Sequence, residues 1–300
     1  MNLFITGATG LIGQHFIERY PQYRYTILSR SKKKASEIFG NKVDAVSTLE
    51  ELQNLNEFDA VINLAGEPII GQRWTQEKKA VIEQSRWNTT KQLVNLIKAS
   101  STPPDVFLSG SAIGVYGDTG DELVDESANA DPLDFPSKLC LNWEKIALEA
   151  EMDTRVILQR TGIVLSDQGG ALAKMLLPFK LNLGGKLGSG EQYMSWIHIA
   201  DITDAMNFVL QHQECRGPVN MVTPNNLTNL EFSKTLADVL RRRALLPVPE
   251  RMLKLAFGEA AQILLDSQRV APSILESAGF SFTFPEFRPA IVNLLAKQQY

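Results

Sequence analysis

The first fourteen residues constrain this chain more than any other stretch. Asn2-Leu3-Phe4-Ile5-Thr6 is a short apolar run, and Gly7-Ala8-Thr9-Gly10-Leu11-Ile12-Gly13 comes directly after it. Such a run, without polar alternation, predicts a strand buried on both faces, as in a parallel sheet. The glycines then predict a tight turn into a helix that begins near Leu11 and runs to about residue 20. Gly7 allows the turn out of the strand. Gly10 has no Cβ, so a diphosphate can lie against the backbone, and Gly13 lets the helix pack close to the sheet. Free N–H groups and the dipole at the helix start favour that negative charge. Thr9, Leu11 and Ile12 complete the predicted dinucleotide-binding set. The bland alternative is an ordinary strand-to-helix turn that tolerates glycine.

Beyond this turn the strand–helix alternation repeats. Residues 24–28 predict a second strand, 43–46 a short third, 59–66 a fourth ending in a small-residue turn, and 105–109 a fifth. A long amphipathic helix is expected over residues 74–99, a second over 136–150, and a sixth strand over 155–158. Strands alternating with helices through short loops mean an α/β fold, a doubly wound parallel sheet with right-handed crossovers. The turn Leu64-Ala65-Gly66 and Ser109 should then lie at the sheet's carboxyl edge, beside the dinucleotide.

The end of the second strand separates two cofactors. A site for NAD usually places Asp or Glu there, to bind the ribose 2′-hydroxyl. Here Ser29-Arg30-Ser31-Lys32-Lys33-Lys34 reads as a basic, hydroxyl-rich turn. Ser29 and a fork-shaped Arg30 suit the 2′-phosphate of NADP(H) instead. The alternative is a solvated basic turn.

Totals exclude more than they assert. At 300 residues and 44% apolar composition, the chain can bury one large core or two modest ones. A net charge of −4 gives no reason to expect nucleic acid or a membrane surface as partner. Cys140 and Cys215 have no metal-ligand spacing and read as reduced thiols of a cytoplasmic protein. No metal site, export signal or membrane-spanning run is expected.

Several stretches together resemble the extended short-chain dehydrogenase/reductase superfamily, the NAD(P)-dependent epimerases and dehydratases. They are residues 5–13, Asn63-Leu64-Ala65-Gly66-Glu67-Pro68, Ser85-Arg86-Trp87-Asn88, Ser109-Gly110-Ser111-Ala112, Val115-Tyr116-Gly117-Asp118 and Trp196-Ile197-His198-Ile199. More closely, the chain resembles a branch known only as epimerase family proteins, whose small C-terminal module matches about residues 248–290. The resemblance implies a Rossmann domain over residues 1–168, completed by about 198–223. A substrate-side lobe is implied over 169–197 and 224–300. It also implies a homodimer through the helices near 75–99 and 138–150, the alternative being a monomer that buries those faces on its own sheet.

In that superfamily Ser, Tyr and Lys do the chemistry. The tyrosine is the acid or base, and a lysine four residues later binds the nicotinamide ribose and lowers the tyrosine's pKa. Ser111 matches the serine and Lys138 the lysine, but Asp134 stands where the tyrosine belongs. Three readings stay open. Tyr116 supplies the phenol from another direction; Asp134 titrates itself, or is simply a helix cap ahead of Pro136; or the site binds cofactor without efficient turnover.

The second half is less informative. His198 reads as a structural hydrogen-bonding residue, and Arg269 as one that could reach an anionic substrate. Residues 183–190 form a glycine-rich loop without the ending of a phosphate-binding P-loop. The expectation is an NADP(H)-dependent oxidoreductase or epimerase-like enzyme for a small carbonyl or hydroxyl substrate. The alternatives are a non-catalytic NADP(H)-binding sensor or scaffold, and a sugar-nucleotide epimerase or dehydratase. The last is weakened by the lack of a well-defined uridine-diphosphate site.

Overall fold

The computed structural model describes residues 1–130, 132–244 and 246–296. Asp131 in the acidic stretch and the last four residues of the C-terminal lobe therefore lie outside the described residues. In chain order the Rossmann half contains β1 (Asn2–Thr6), α1 (Leu11–Arg19), β2 (Arg24–Leu28), α2 (Lys32–Phe39), β3 (Asp44–Val46) and β4 (Ala60–Asn63). It continues with α3 (Gln76–Lys98), β5 (Val106–Ala112), a 3-10 turn (Ile113–Tyr116), β6 (Leu123–Val124), α4 (Phe135–Leu148) and β7 (Arg155–Thr161). Then come β8 (Ile163–Leu165), α5 (Gly170–Lys180), β9 (Tyr193–Met194), β10 (Trp196–His198), α6 (Ile199–Gln211) and β11 (Gly217–Met221). The remainder is β12 (Leu227–Thr228), α7 (Asn229–Val239), α8 (Glu250–Phe257), α9 (Gln262–Leu265), β13 (Arg269–Val270), α10 (Ser273–Ser277) and α11 (Phe287–Ala296).

Seven strands form one parallel sheet in the order β11-β7-β5-β4-β1-β2-β3. The order reverses between β1 and β4, and a doubly wound sheet opens its ligand crevice there, beyond the carboxyl ends of the strands. Alternate residues of each strand feed opposite cores. Leu3, Ile5, Ile62 and Leu108 pack with α1 and α6, whereas Phe4, Val61, Phe107 and Val156 pack with Leu93, Val94 and Ile97 of α3. Both faces are therefore covered, which is why these strands read as continuous apolar runs.

The C-terminal part is not a separate bead. Phe287, Ile291 and Leu294 of α11 share the first core with Trp196 and Phe232, and β13 pairs in parallel with β6, Arg269 beside Leu123. That pairing pins the C-terminal module to the loop that leaves β5.

Three elements differ from the sequence reading. The basic run 32–34 is the first turn of α2, with Ser31 capping it by accepting from the Lys34 N–H at 3.2 Å. The stretch 192–199, whose sequence reads as one strand, is broken at Ser195 into β9 and β10, which pair with different partners, β12 and β8. Ser195 is taken out of the ladder because its Oγ donates to the Gln268 carbonyl at 2.7 Å and accepts from the Val270 N–H at 2.9 Å. The sixth strand, β7, runs three residues further, to Thr161, because β5 continues beside it and pairs Ser111 with Arg160.

Candidate active site and cofactor cleft

The glycine turn has little freedom. Gly7 adopts φ of +69°, and a Cβ there would lie 2.5 Å from the Leu64 carbonyl carbon. Only glycine permits both the left-handed backbone and that approach. The turns after β1 and β4 thus touch directly. A Cβ on Gly13 would sit 2.6 Å from Ala8 Cα, so this glycine packs α1 onto the turn itself. Gly10 is the exposed N-cap of α1; it has an extended backbone, no side-chain cap and no acidic residue in the first helical turn. The Gly10 N–H donates to the Gly7 carbonyl at 2.9 Å, and the N–H groups that follow it at this helix start have no side-chain cap.

A buried polar network fixes the two turns. Thr6 Oγ1 donates to Asn63 Oδ1 at 2.6 Å, Asn63 Nδ2 donates to Thr90 Oγ1 at 2.8 Å, and Trp143 Nε1 donates to the same Thr90 oxygen at 2.8 Å. Strands β1 and β4 and helices α3 and α4 are thereby tied at one point. Gly110 makes room for it, since a Cβ there would meet the Trp143 ring at 2.8 Å. Beside Gly66, Arg86 donates to the carbonyls of Glu67 and Ile82, and burial lowers its pKa from the ordinary arginine value. Ser109, fully buried on β5, has an Oγ that finds no hydrogen-bond partner among the described residues.

At the end of β2, Ser29 Oγ donates to the Ser31 carbonyl at 3.0 Å, and Arg30 is exposed. Arg30 forms no ion pair among the described residues, although its charge contributes to holding the Glu67 carboxyl below its usual range, after the larger effect of the Lys78 hydrogen bond. The guanidinium is thus exposed and near enough to Glu67, next to Gly66, for its charge to act there.

Ser111 heads a second network. Its Oγ donates to Glu144 Oε1 at 2.6 Å. Arg160 grips the same carboxylate through Nε at 2.9 Å and Nη2 at 2.8 Å, and its Nη1 donates to the Tyr116 hydroxyl at 2.8 Å. Tyr116 in turn donates to Asn220 Oδ1 at 2.8 Å. Glu144 and Arg160 are 5% and 6% exposed, so this is a buried, bidentate ion pair whose geometry is ideal on both sides. Burial alone would lower the Arg160 pKa, but the Glu144 hydrogen bonds and charge more than reverse it. Burial raises the Tyr116 phenol, against the opposing pull of Arg160.

Ser111 and Tyr116 therefore share one chain of contacts, at opposite ends of the Glu144–Arg160 pair. Lys138 does not join them. Helix α4 turns Phe135, Leu139, Cys140, Trp143 and Glu144 inward, while Lys138 is exposed. Asp134 caps α4, accepting from the Ser137 N–H at 2.8 Å and the Ser137 hydroxyl at 2.7 Å. His198 is buried, caps α6 by accepting from the Ala200 N–H at 3.0 Å, and packs against Phe284. Arg269 lies over the Tyr193 ring at 4.7 Å and donates to the Asp121 carbonyl.

Sequence reasoning missed Glu144, Arg160 and Asn220. A signal existed for two of them, an arginine inside the apolar run Val156-Ile157-Leu158-Gln159-Arg160 and a glutamate on the buried face of α4. It also missed a cavity of about 560 Å³ between the loop after β5 and the C-terminal module, lined by Asp118, Ser189, Gln192, Lys254, Gln262 and Asp266 among others. Among the described residues no group of His, Cys, Asp and Glu is arranged to hold a metal ion, and no helix is long and apolar enough to cross a membrane.

The chain is similar to known proteins along its whole length. The model of the NAD dependent epimerase/dehydratase family matches residues 3–222, and that of a domain of unknown function (DUF1731) matches residues 248–294. An epimerase family protein of Staphylococcus haemolyticus is 36% identical over 296 residues, covering 97% of this chain and 98% of its own. The Bacillus subtilis epimerase family protein YfhF is 34% identical, covering 100% of this chain and 99% of its own. The crystal structure of human epimerase family protein SDR39U1 with NADPH superposes with a TM-score of 0.91 at 32% identity, covering 99% of both chains. With a family model spanning most of the sheet and relatives aligned end to end, this chain belongs to the NAD dependent epimerase/dehydratase family.

Proposed function

We propose that the chain is an NADP(H)-dependent enzyme of the oxidoreductase or epimerase-like kind, acting on a small substrate with a hydroxyl or carbonyl group. The observation that carries this reading is the cradle at the switch point. The start of α1 is uncapped, Gly7 and Gly10 leave backbone where side chains would intrude, and the buried Ser109 hydroxyl lacks a partner among the described residues. These residues fit a dinucleotide. Gly7, Thr9, Gly10, Leu11, Ile12 and Gly13 would hold the diphosphate, Ser29 and Arg30 the 2′-phosphate, and Leu64, Ala65, Gly66 and Ser109 the path toward Ser111. The human relative whose structure contains NADPH supports the same choice of cofactor.

When bound, the nicotinamide supplies hydride exchange with a substrate carbon. The protein's part is placement and proton handling. Ser111 Oγ has lone pairs free to accept from a substrate hydroxyl while its own proton points at Glu144. Ser111 and Glu144 together form a proton path that does not need the missing tyrosine. Tyr116 is assigned to holding Arg160 in place, because its phenol is committed to Asn220 and its pKa is raised rather than lowered. Lys138 is left outside the proton path.

A second reading, a non-catalytic NADP(H)-binding sensor or scaffold, is favoured by the exposure of Lys138 and the capping role of Asp134. The test is calorimetry with NADPH and NADH, followed by a screen of carbonyl compounds that monitors NADPH absorbance. Tight NADPH binding with turnover supports the enzyme; tight binding with no turnover across the screen supports the sensor. A chain that binds neither dinucleotide contradicts both. A sugar-nucleotide epimerase is the weakest of the three, since the cavity between the loop after β5 and the C-terminal module is lined by four carboxylates.

A further inference from the structure

The net charge of −4 conceals a basic corner of the molecule. Residues 170–188, which hold α5 and the loop after it, contain Lys174, Lys180 and Lys186 and no carboxylate. Residues 241–249, between α7 and α8, contain Arg241, Arg242 and Arg243 and again no carboxylate. The acidic residues that flank the second stretch are already taken, Asp238 by Arg288 and Glu250 by Lys254.

These two stretches form one surface. Asn182 Oδ1 accepts the Arg243 N–H at 3.1 Å, the Leu246 N–H donates to the Gly184 carbonyl at 3.4 Å, and the Val248 N–H donates to the Lys186 carbonyl at 2.9 Å. The end of α5 and the chain leaving α7 thus run side by side. Leu177, Leu181, Leu183 and Leu246 on this surface are 49–64% exposed. Leu177 and Leu181 stand four residues apart at the end of α5 and share a face. Leu183 is two residues further on, and Leu246 is held next to it by the bond to Gly184. One exposed leucine is ordinary, but a group of them rimmed by charge marks an interaction surface.

The arginines have no use inside the chain. All three are exposed, and among the described residues none forms an ion pair or donates a side-chain hydrogen bond. The dipole at the end of α7 gives a reason for basic charge there, yet no terminal carbonyl receives any of these side chains. Arg241 also adopts φ of +54°. Its N–H donates to the Asp238 carbonyl at 2.9 Å and the Arg242 N–H to that of Ala237 at 2.8 Å, a helix ending for which glycine is the ordinary residue. An arginine kept there, exposed and unpaired, points to a role for its charge outside the chain.

Exposed leucines rimmed by unpaired cations match an anionic lipid surface. The apolar side chains enter the boundary between headgroups and acyl chains, and the cations meet the phosphates. A nucleic acid offers the cations a partner but leaves the leucines in water, and a second copy of this chain would set the same positive charge against itself. We propose that this corner docks the chain on an anionic lipid surface by shallow insertion of Leu177, Leu181, Leu183 and Leu246. The chain lies on the lipid without spanning it. This docking goes beyond the proposed enzyme activity and does not depend on it.

The test sediments the full-length chain with vesicles of phosphatidylcholine alone and of phosphatidylcholine with about one-third phosphatidylglycerol. Binding to the anionic vesicles is expected to be at least about tenfold stronger and to weaken at about 0.5 M salt. Leu177→Gln with Leu181→Gln keeps the charge, and Arg241→Gln with Arg242→Gln and Arg243→Gln keeps the leucines. Each set is expected to lower anionic-vesicle binding at least about tenfold with the melting temperature held. The single variants Leu177→Gln and Arg242→Gln report the same two contributions with the least demand on the fold. No binding to anionic vesicles, or equal binding to phosphatidylcholine alone, overturns the proposal. Binding that the leucine variants leave unchanged overturns it too, since charge alone would then suffice. So does competition by millimolar glycerophosphoglycerol, which would mean a headgroup pocket, or a dimer that the leucine variants dissolve while vesicles bind nothing. NADPH affinity by calorimetry is expected to be unchanged in every variant, so this inference and the cofactor reading fail separately.

Discussion

Replacing Asp266 by asparagine is expected to stabilise the fold near pH 8 and to leave it unchanged below about pH 3. The carboxyl of Asp266 is pushed up from 3.8 to about 6, first by burial, then by the charges of Asp118 and Asp134, against a smaller opposing effect of Lys254. Over the interval from 3.8 to about 6 the folded chain keeps a proton that the unfolded chain has already released. Raising the pH through that window therefore favours unfolding, and above it the folded chain carries a carboxylate that its surroundings disfavour. A shift of that size corresponds to about 3 kcal/mol for a fully desolvated group, at about 1.36 kcal/mol per pH unit. The group is half-buried beside an open cavity, so solvent screening brings the expected gain to about 1.5 kcal/mol. For a chain of this length that is a rise in melting temperature of about 2–3 °C. Thermal and urea unfolding of wild type and Asp266→Asn at several pH values measure it. A variant less stable than wild type near pH 8, or one whose gain persists unchanged below about pH 3, refutes the reasoning. A gain in stability on removing the charge is also what a group held for function at the expense of the fold would show.

Other outcomes rest on the same geometry. Gly7→Ala forces a Cβ to within 2.5 Å of the Leu64 carbonyl at φ of +69°, and NADPH affinity by calorimetry is expected to fall at least about tenfold. Arg30→Ala removes the fork offered to the 2′-phosphate, so NADPH binding should weaken about 10–100-fold while NADH binding is unaffected, eliminating discrimination between the two. Glu144→Ala leaves Arg160 buried without its carboxylate, and urea unfolding should show a loss of about 3–5 kcal/mol, with Lys138→Ala on the outer face changing stability by less than about 0.5 kcal/mol. Once a substrate is in hand, Ser111→Ala is expected to lower kcat about 10²–10⁴-fold with NADPH affinity retained.

The sequence displays what is local and hides what topology assembles. The glycine turn is readable because its steric needs lie within a few residues, and the seven-residue stretch 7–13 carries them all. The reading of Arg30 rests on the end of the second strand being a fixed place in a doubly wound sheet. The basic run after it is misleading, since Lys32, Lys33 and Lys34 look like a turn until Ser31 is seen capping a helix. The Glu144–Arg160 pair belongs to a helix and a strand whose neighbours are set by the sheet, so either residue announces a buried charge but neither names its partner. The four-residue interval from Asp134 to Lys138 suggests a site lysine, whereas the buried face of α4 passes through Phe135, Leu139 and Trp143 and leaves Lys138 in solvent. The acidic cavity is the least legible feature. Asp118, Gln192 and Asp266 come from three distant segments, brought together by the β13–β6 pairing and by Ser195 breaking its strand.

The most direct measurement is a crystal structure of the chain grown with NADPH. The diphosphate is expected on the N–H groups at the start of α1, the 2′-phosphate against Arg30, and the nicotinamide ring facing Ser111. A crevice that stays empty at saturating NADPH, or a ring turned away from Ser111, would contradict the assignment.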